Sequence, residues 1–413
     1  MMRVIIVGNG VAGNAAAESI MSAVPETDVI IVSEDPFPEY SACVLCDYIS
    51  GELARERVFL KSLNDYSGLG IKAILGKGIE GIDQVEKHVQ TADSDCAYDK
   101  LILATGSEPI IPPIKGIGKS GVFCLKSLRD ADVISAHNGR AAAIIGAGPI
   151  GIEAAVALTK RGYKVWLIEL LDSILPNLLE RNCSALLSNI LRRNGVRILV
   201  GERVTEIQGN SQVEGVVVGK TEISCDTVIL TLGMKPRTEL ARKRGIDLGP
   251  KGGVKVNSRM KTNIPDIYAC GDCVESVVPG FQETISSMLW YNAKQQGKVA
   301  GLNAVGVDRG YSAPVSVVSL RVFDSCVAAI NSPEYSPGQE YERLERRFGD
   351  RQSALIMNEG RLISVQTVGA LDDMGVFLPF VQKNTAIQQL RNYIDWRQGL
   401  CRPLWANTIS YFL

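Results

Sequence analysis

Residues 3–13 read RVIIVGNGVAG, and residues 14–23 continue NAAAESIMSA. A short β-branched run ends in three spaced glycines, and an alanine-rich segment follows. This is strand, G-x-G-x-x-G, helix, the order that a site for a dinucleotide pyrophosphate needs. Gly8 permits the tight turn, Gly10 lets the backbone approach the phosphates, and Gly13 lets the helix lie close on the strand. Val11 and Ala12 complete the turn, and the helix start offers unpaired N–H groups with a partial positive charge. A second strand, DVIIVS, ends at Glu34, which places a carboxylate where a ribose diol would lie.

The arrangement returns about 140 residues later in AAAIIGAGPIGIEAAVALTKRGYKVWLIEL. Gly146, Gly148, Pro149, Ile150 and Gly151 form the turn, and IEAAVALTKRG is the helix. Glu169 ends the next strand, 23 residues after Gly146, close to the interval of about 20 that a ribose-binding acid keeps. One such glycine pattern is a weak signal; two, each with strand, helix and terminal acid, are a strong one. A carboxylate at Glu169 accepts from ribose 2′- and 3′-hydroxyls and repels a 2′-phosphate. Leu170 and Leu171 follow it in place of arginines, so NADH is expected over NADPH.

The chain has 413 residues, 46% of them hydrophobic and 22% charged, with a net charge of −1. That length predicts two to four domains, and the charge balance argues against broad attraction to nucleic acid or an anionic membrane. The start MMRVIIVGNG lacks the organisation of a secretory signal, and no apolar run approaches the roughly 18–20 residues that span a bilayer. Ten cysteines at irregular spacing fit reduced thiols, so a cytoplasmic protein is expected.

Three further signatures complete the frame. YDKLILATGSEPIIPP is a strand reaching Ala104, Thr105 and Gly106, followed by a proline-rich crossover. CDTVILTLGMKPRTEL repeats the theme, ending at Gly233, and KTNIPDIYACGDCVES is a strand carrying Gly271-Asp272. The order of these five pieces resembles the FAD- and NAD(P)H-dependent pyridine nucleotide-disulfide oxidoreductase superfamily across residues 1–310. The resemblance implies an α/β fold with two Rossmann-like dinucleotide-binding domains and a small α+β C-terminal interface domain. The FAD domain is expected to be discontinuous, at 1–112 and 239–310, with the NADH domain at 113–238 and the interface domain at 311–413.

By the same resemblance the first turn, with Glu34, holds FAD, and the second, with Glu169, holds NADH. The turn at Ala104, Thr105 and Gly106 closes over the FAD, Asp272 bonds its ribityl or pyrophosphate portion, and Glu153 lies near the nicotinamide and flavin N5. TISSMLWYNAKQQGKVAGLNAVG resembles the family helix that points at the flavin, whose dipole would stabilise a reduced flavin. RRFGDRQSALIMNEGRLISVQTVGA alternates like antiparallel strands turning at Asn358-Glu-Gly360. FVQKNTAIQQLRNYIDW then predicts an amphipathic helix, and the apolar tail GLCRPLWANTISYFL either packs back on its own subunit or docks a partner. A homodimer, or the flavin subunit of a larger complex, is implied.

The electron acceptor turns on EYSACVLCDYISGE, residues 39–52. A C-x-x-C alone is a redox pair, a metal half-site, one working thiol or packing. The segment resembles the redox-cysteine loop of NADH oxidases and coenzyme A disulfide reductases, which puts Cys43 on the catalytic cysteine. Cys46 stands where that loop has proline, and Asp47 where it has an aromatic. A helix start near Cys43 would lower its pKa, with Asp47 opposing. Cys43/Cys46 and Cys270/Cys273 superficially suggest a four-cysteine site, but the second pair surrounds Asp272, and no metal is expected. The histidines, His88 and His137, are expected at the surface, and Val11 occupies the position where peroxidases of this superfamily have histidine.

Three readings follow. In the favoured one, hydride passes from NADH to FAD and electrons go on to a redox protein such as a ferredoxin, a rubredoxin or an iron–sulfur or metallo-subunit. In the second, Cys43 serves a single-cysteine NADH oxidase or coenzyme A disulfide reductase. In the third, the chain is a flavin-binding subunit without catalysis.

Overall fold

The structure is a computed structural model, and it describes residues 1–91, 95–277, 284–312, 315–369 and 374–386. The run VIIV of the strand Arg3–Val7 is buried throughout, as a parallel strand covered on both faces requires. It is central in a five-stranded parallel sheet of order Ile267–Ala269, Lys100–Leu103, Arg3–Val7, Asp28–Ser33, Ile71–Leu75. The helix Val11–Ala23 packs against a second helix, Trp290–Ala304. Their approach is set by glycine: a Cβ on Gly297 would lie 2.1 Å from the Ala12 carbonyl oxygen, and one on Gly301 2.4 Å from that of Ala16.

A second parallel sheet repeats this plan around Ala141–Ile145, in the order Arg197–Val200, Lys164–Glu169, Ala141–Ile145, Thr227–Leu230, Val122–Cys124. The two connections between the sheets pair with each other, Ser107–Pro109 running antiparallel to Met234–Pro236.

Residues 316–368 form a five-stranded antiparallel sheet of order Ser316–Val322, Ser325–Asn331, Arg361–Val368, Arg351–Asn358, Glu342–Phe348. The hairpin expected at residues 358–360 is present. Glu359 and Gly360 carry φ of 49° and 70°, the left-handed pair of a tight hairpin turn. One apolar core joins this sheet, through Leu320, Val322 and Val327, to Ile152 and Leu158 of the helix Pro149–Lys160 and to Leu45 beside the cysteines.

Two helix expectations need correction. The helix predicted from Phe380 onward instead covers Met374–Gln382. Asn384 turns left-handed at φ 49°, and Ala386 bridges Arg361, so the chain has left the helix by then. The rest of that segment and the tail GLCRPLWANTISYFL lie outside the described residues. The helix expected from Thr284 begins only at Trp290. Ile285 is drawn into a bridge with Ser276, and the Thr284 hydroxyl donates to Glu275 at 2.7 Å, which holds this stretch extended.

Candidate active site

The two glycine turns have nearly the same backbone. Gly8 has φ +117° and Gly146 φ +106°, values that L side chains avoid. A Cβ on Gly8 would stand 2.1 Å from the Ala104 carbonyl oxygen, and one on Gly146 2.4 Å from that of Thr231. Gly13 and Gly151 are equally constrained, each by the carbonyl of its own turn's first glycine at 2.1 and 2.0 Å. Gly10 and Gly148, the N-caps of their helices, meet nothing within 4 Å. These are the open positions where a pyrophosphate would approach the helix N-terminus, so both turns fit a dinucleotide. Val11 and Ile150 are half-buried and Ala12 is buried. Pro149 takes the first position of its helix, where its missing N–H costs nothing.

The two terminal acids are engaged differently. Glu169 folds onto its own turn, accepting from the Ala147 N–H at 2.8 Å and the Leu171 N–H at 2.9 Å. A carboxylate has about four lone-pair sites, so capacity for a diol remains. Glu34 pairs with Arg237 at 2.8 Å. Arg237 also donates its N–H to the Gly106 carbonyl at 3.0 Å, and its own carbonyl accepts from the Thr105 hydroxyl at 2.6 Å. Gly233 has φ +96°, and its carbonyl accepts the Ile110 N–H. Thus Glu34, Thr105 and Gly106 meet at one residue that sequence reasoning missed, although Arg237 adjoins the quoted Pro236.

Asp272 is held from two sides. The Ser107 hydroxyl donates to it at 2.7 Å, and Lys126 pairs with it at 3.0 Å. The neighbouring Gly271 N–H donates to Gln296, on the helix Trp290–Ala304, at 2.9 Å. Lys126 was also missed; only its distant partner in sequence reveals it.

Cys43 lies in a short 3-10 turn, Ala42–Val44, and Cys46 in the first turn of the helix Leu45–Ser50. Cys43 is exposed and Cys46 half-buried, both as unpaired thiols. The segment is clamped in place: Arg55 and Tyr48 both bond Asp132, Lys160 pairs with Glu52 at 2.7 Å, and the Tyr40 hydroxyl accepts the Leu128 N–H. Cys43 retains exposed surface, yet the protein around its sulfur still pushes the thiol up. Glu153 and Asp272 add to that, while Ser41 and Lys126 oppose it. The lowered thiol pKa expected from a helix start is therefore not found, because desolvation and carboxylate charge outweigh a helix of six residues. Cys46 is raised well above the ordinary thiol value by burial, then by Glu153 and Asp47. Glu153 itself is pushed up to about 7, by burial first and Asp47 second. The structure thus brings Cys43, Cys46, Glu153, Lys126 and Asp272 into one electrostatic neighbourhood.

Neither histidine is fully at the surface. His88 is half-buried at the start of the strand His88–Thr91, and His137 Nε2 lies 3.0 Å from the Thr227 hydroxyl with its ring edge-on to Phe123. Cys270 and Cys273 are fully buried, Cys273 donating to the Cys270 carbonyl at 3.3 Å. Among the described residues no three His, Cys, Asp or Glu side chains are grouped to hold a metal ion, and no helix is long and apolar enough to cross a membrane.

Residues 2–297 match the sequence profile of the pyridine nucleotide-disulphide oxidoreductases. This chain belongs to that family. It is a flavoprotein oxidoreductase that binds FAD and uses NADH. The chain is 33% identical over 318 residues to an NADH oxidase of Methanocaldococcus jannaschii, covering 74% of this chain and 71% of that one. Among solved structures, a NAD-dependent persulfide reductase from A. fulgidus superposes with a TM-score of 0.88 at 28% identity, covering 95% of this chain and 79% of that one. NADH:rubredoxin oxidoreductase from Clostridium acetobutylicum superposes with a TM-score of 0.75 at 26% identity, covering 95% and 99%.

Proposed function

We propose that this family member passes electrons from NADH through its flavin to a redox protein, such as a ferredoxin, a rubredoxin or an iron–sulfur or metallo-subunit. When bound, FAD supplies the step from a two-electron hydride donor to a one-electron acceptor. In this reading Gly8, Gly10, Gly13, Glu34, Thr105 and Asp272 position the flavin, and Gly146, Gly148, Gly151 and Glu169 position NADH. The domain divisions fall at 112/113, 238/239 and 310/311.

The observation that carries the choice of acceptor is the setting of Cys43. Attack on peroxide or on a small disulfide needs a thiolate. Burial, Glu153 and Asp272 keep this thiol protonated, against one lysine and one hydroxyl. No histidine stands in the first glycine turn to deliver a proton. The match to the rubredoxin oxidoreductase, over nearly the whole of both chains, supports the same reading.

A second reading, in which Cys43 reduces oxygen, peroxide or coenzyme A disulfide, is favoured by that residue's exposure and by the 33% identity to an NADH oxidase. The test is turnover of the FAD-loaded protein with NADH on each acceptor in turn. The proposal expects a rubredoxin or ferredoxin to be reduced at least about tenfold faster than oxygen, hydrogen peroxide or coenzyme A disulfide, a gap of ~1.4 kcal/mol in barrier. The reverse order overturns it.

A further inference from the structure

The two glycine turns hold their terminal acids differently, and one of the two acids is paired across the mouth of its turn. We propose that Arg237 is a strap over the first glycine turn: its ion pair with Glu34 parts to let FAD in or out and otherwise closes over it, so it sets how fast flavin leaves. This rests on the placement of FAD in the first turn proposed above.

The sheet order fixes the geometry. Glu34 follows the strand Asp28–Ser33, and Thr105 and Gly106 follow Lys100–Leu103; these strands flank Arg3–Val7 on its two sides. Adjacent strands lie about 4.8 Å apart, so the two flanks stand roughly 10 Å apart with the end of Arg3–Val7 between them. Arg237 is fastened to one flank by its backbone. Its N–H donates to the Gly106 carbonyl at 3.0 Å, and its carbonyl accepts from the Thr105 hydroxyl at 2.6 Å. Its guanidinium pairs with Glu34, on the other flank, at 2.8 Å. The pair therefore crosses the carboxyl end of the central strand, the edge at which open α/β sheets receive their ligands. The turn so crossed holds Gly10, where a Cβ would meet nothing within 4 Å.

The chemistry at each end suits the cofactor. After one bond to Arg237, Glu34 keeps lone pairs for a ribose diol, and a guanidinium matches phosphate oxygens. The two side chains are 47% and 69% exposed. Such a pair is weak and readily screened, which fits a strap that opens and not a fixed brace. The backbone bonds of Arg237 already join the turn at Thr105 and Gly106 to the two-stranded ribbon of Ser107–Pro109 and Met234–Pro236. The side chain is not needed to hold the fold there.

The second turn has no strap. Glu169 uses its oxygens on the N–H groups of Ala147 and Leu171. On the opposite flank the Thr231 hydroxyl bonds the Ile145 and Gly146 carbonyls. Lys235, the first cation after that strand, pairs with Glu108 at 3.0 Å instead. NADH must leave as NAD⁺ after every turnover while FAD stays, so a strap is useful over the first turn alone.

The test loads the unaltered protein, Arg237→Ala and Arg237→Lys with FAD and follows the rise of flavin fluorescence after rapid dilution. Both variants keep the backbone bonds of residue 237, so both fold. Flavin should leave Arg237→Ala about fivefold faster than the unaltered protein at low salt, which converts to the ~1 kcal/mol upper value of an exposed pair. Arg237→Lys should fall between them. At about 1 M salt, where the screening length is ~3 Å, the unaltered protein should come within about twofold of the alanine variant. A side chain that only braced the fold would show no such convergence. Equal release rates at low salt overturn the proposal. So does slower release from Arg237→Ala, which would make the guanidinium a competitor of the ribose for Glu34. Gly10→Val separates the strap from the placement of the flavin. The backbone at Gly10, φ −77° and ψ −178°, admits valine and the added Cβ meets nothing, so this variant should fold and bind flavin at least about tenfold more weakly. Retained affinity would overturn the placement and the strap together; lost affinity with equal release rates would overturn the strap alone.

Discussion

The two glycine turns share a backbone and differ in what lies beneath it. Under the first, Asn9, Asn14 and Tyr66 are buried and bonded together. Tyr66 donates to Asn9 Oδ1 at 2.8 Å and Asn14 donates to the Asn9 carbonyl at 2.8 Å. Asn9 reaches on to the Phe37 carbonyl, and the Glu39 N–H donates to Tyr66 at 2.9 Å. At the matching positions 138 residues later the chain has Ala147 and Ile152, both fully buried in apolar surroundings. Ala15, buried in the first helix, is matched by Glu153 in the second. The first turn is therefore fastened to the start of the cysteine segment, whereas the second contributes the carboxyl that faces it. On the assignment proposed above, the first turn anchors the flavin side, while the second sets a carboxyl of raised pKa beside the cysteines.

The strongest way to break this division is to spoil each turn separately. Gly8→Ala forces a Cβ into the Ala104 carbonyl at a φ that alanine resists, and the protein should lose bound flavin and its yellow colour. Gly146→Ala should keep the flavin but weaken NADH about tenfold to a hundredfold, as ~1–3 kcal/mol of backbone strain requires. Flavin absorbance and the KM for NADH check both. If Gly146→Ala also released the flavin, the turns would not be independent.

The next effect concerns the position where the helices differ most. Glu153 titrates at about 7, above an ordinary glutamate near 4.3. Between those values the folded protein binds more protons than the unfolded one, so this group's contribution to stability is present at low pH and is lost as pH rises through about 7. The shift caps that loss at ~4 kcal/mol. Thermal melts of the holoprotein from pH 5 to 8 should show the decline, and Glu153→Gln should flatten it. An unchanged slope in the variant would place the titration elsewhere.

What was legible follows from what is local. The strands, both glycine turns, Glu34 and Glu169 are each encoded within about thirty residues, so pattern and spacing suffice. Lys126, Arg237, Tyr66 and the Arg55–Asp132 pair act on partners 57 to 203 residues away, and no spacing announces such contacts. Sequence alone starts the helix at Thr284 rather than Trp290, because Thr284 and Ile285 suit either structure until Glu275 and Ser276 claim them. The cysteine pair was legible as a motif and its loop as a resemblance. The setting that raises both thiols is not, because it comes from burial first and then from carboxylates that include Glu153, on a helix about a hundred residues on.

Tyr66→Phe sharpens the comparison from the polar side. It removes the donor to Asn9 and the acceptor for the Glu39 N–H, both buried, and should cost ~1–3 kcal/mol in denaturant unfolding. The second turn is held instead by the Thr231 hydroxyl, which donates to the Gly146 carbonyl at 2.8 Å. A cost below about 0.5 kcal/mol would mean that ordered water replaces the hydroxyl.

The smallest expected effect separates the two terminal acids. Glu169 braces its own turn with both carboxylate oxygens, while Glu34 leans on Arg237 across the ribbon. In Glu169→Ala the Ala147 and Leu171 N–H groups lose their acceptor and the ribose hydroxyls lose theirs, so NADH should weaken by about tenfold, ~1.4 kcal/mol. The repulsion of a 2′-phosphate disappears at the same time, so the preference for NADH over NADPH should narrow by more than NADH binding alone weakens. Glu169→Gln distinguishes the two roles. Its amide oxygen can still accept one backbone N–H, but the full negative charge is gone, so NADPH should gain while NADH falls less than in the alanine variant. Equal losses for both nucleotides in both variants would make Glu169 a brace for the turn and nothing more.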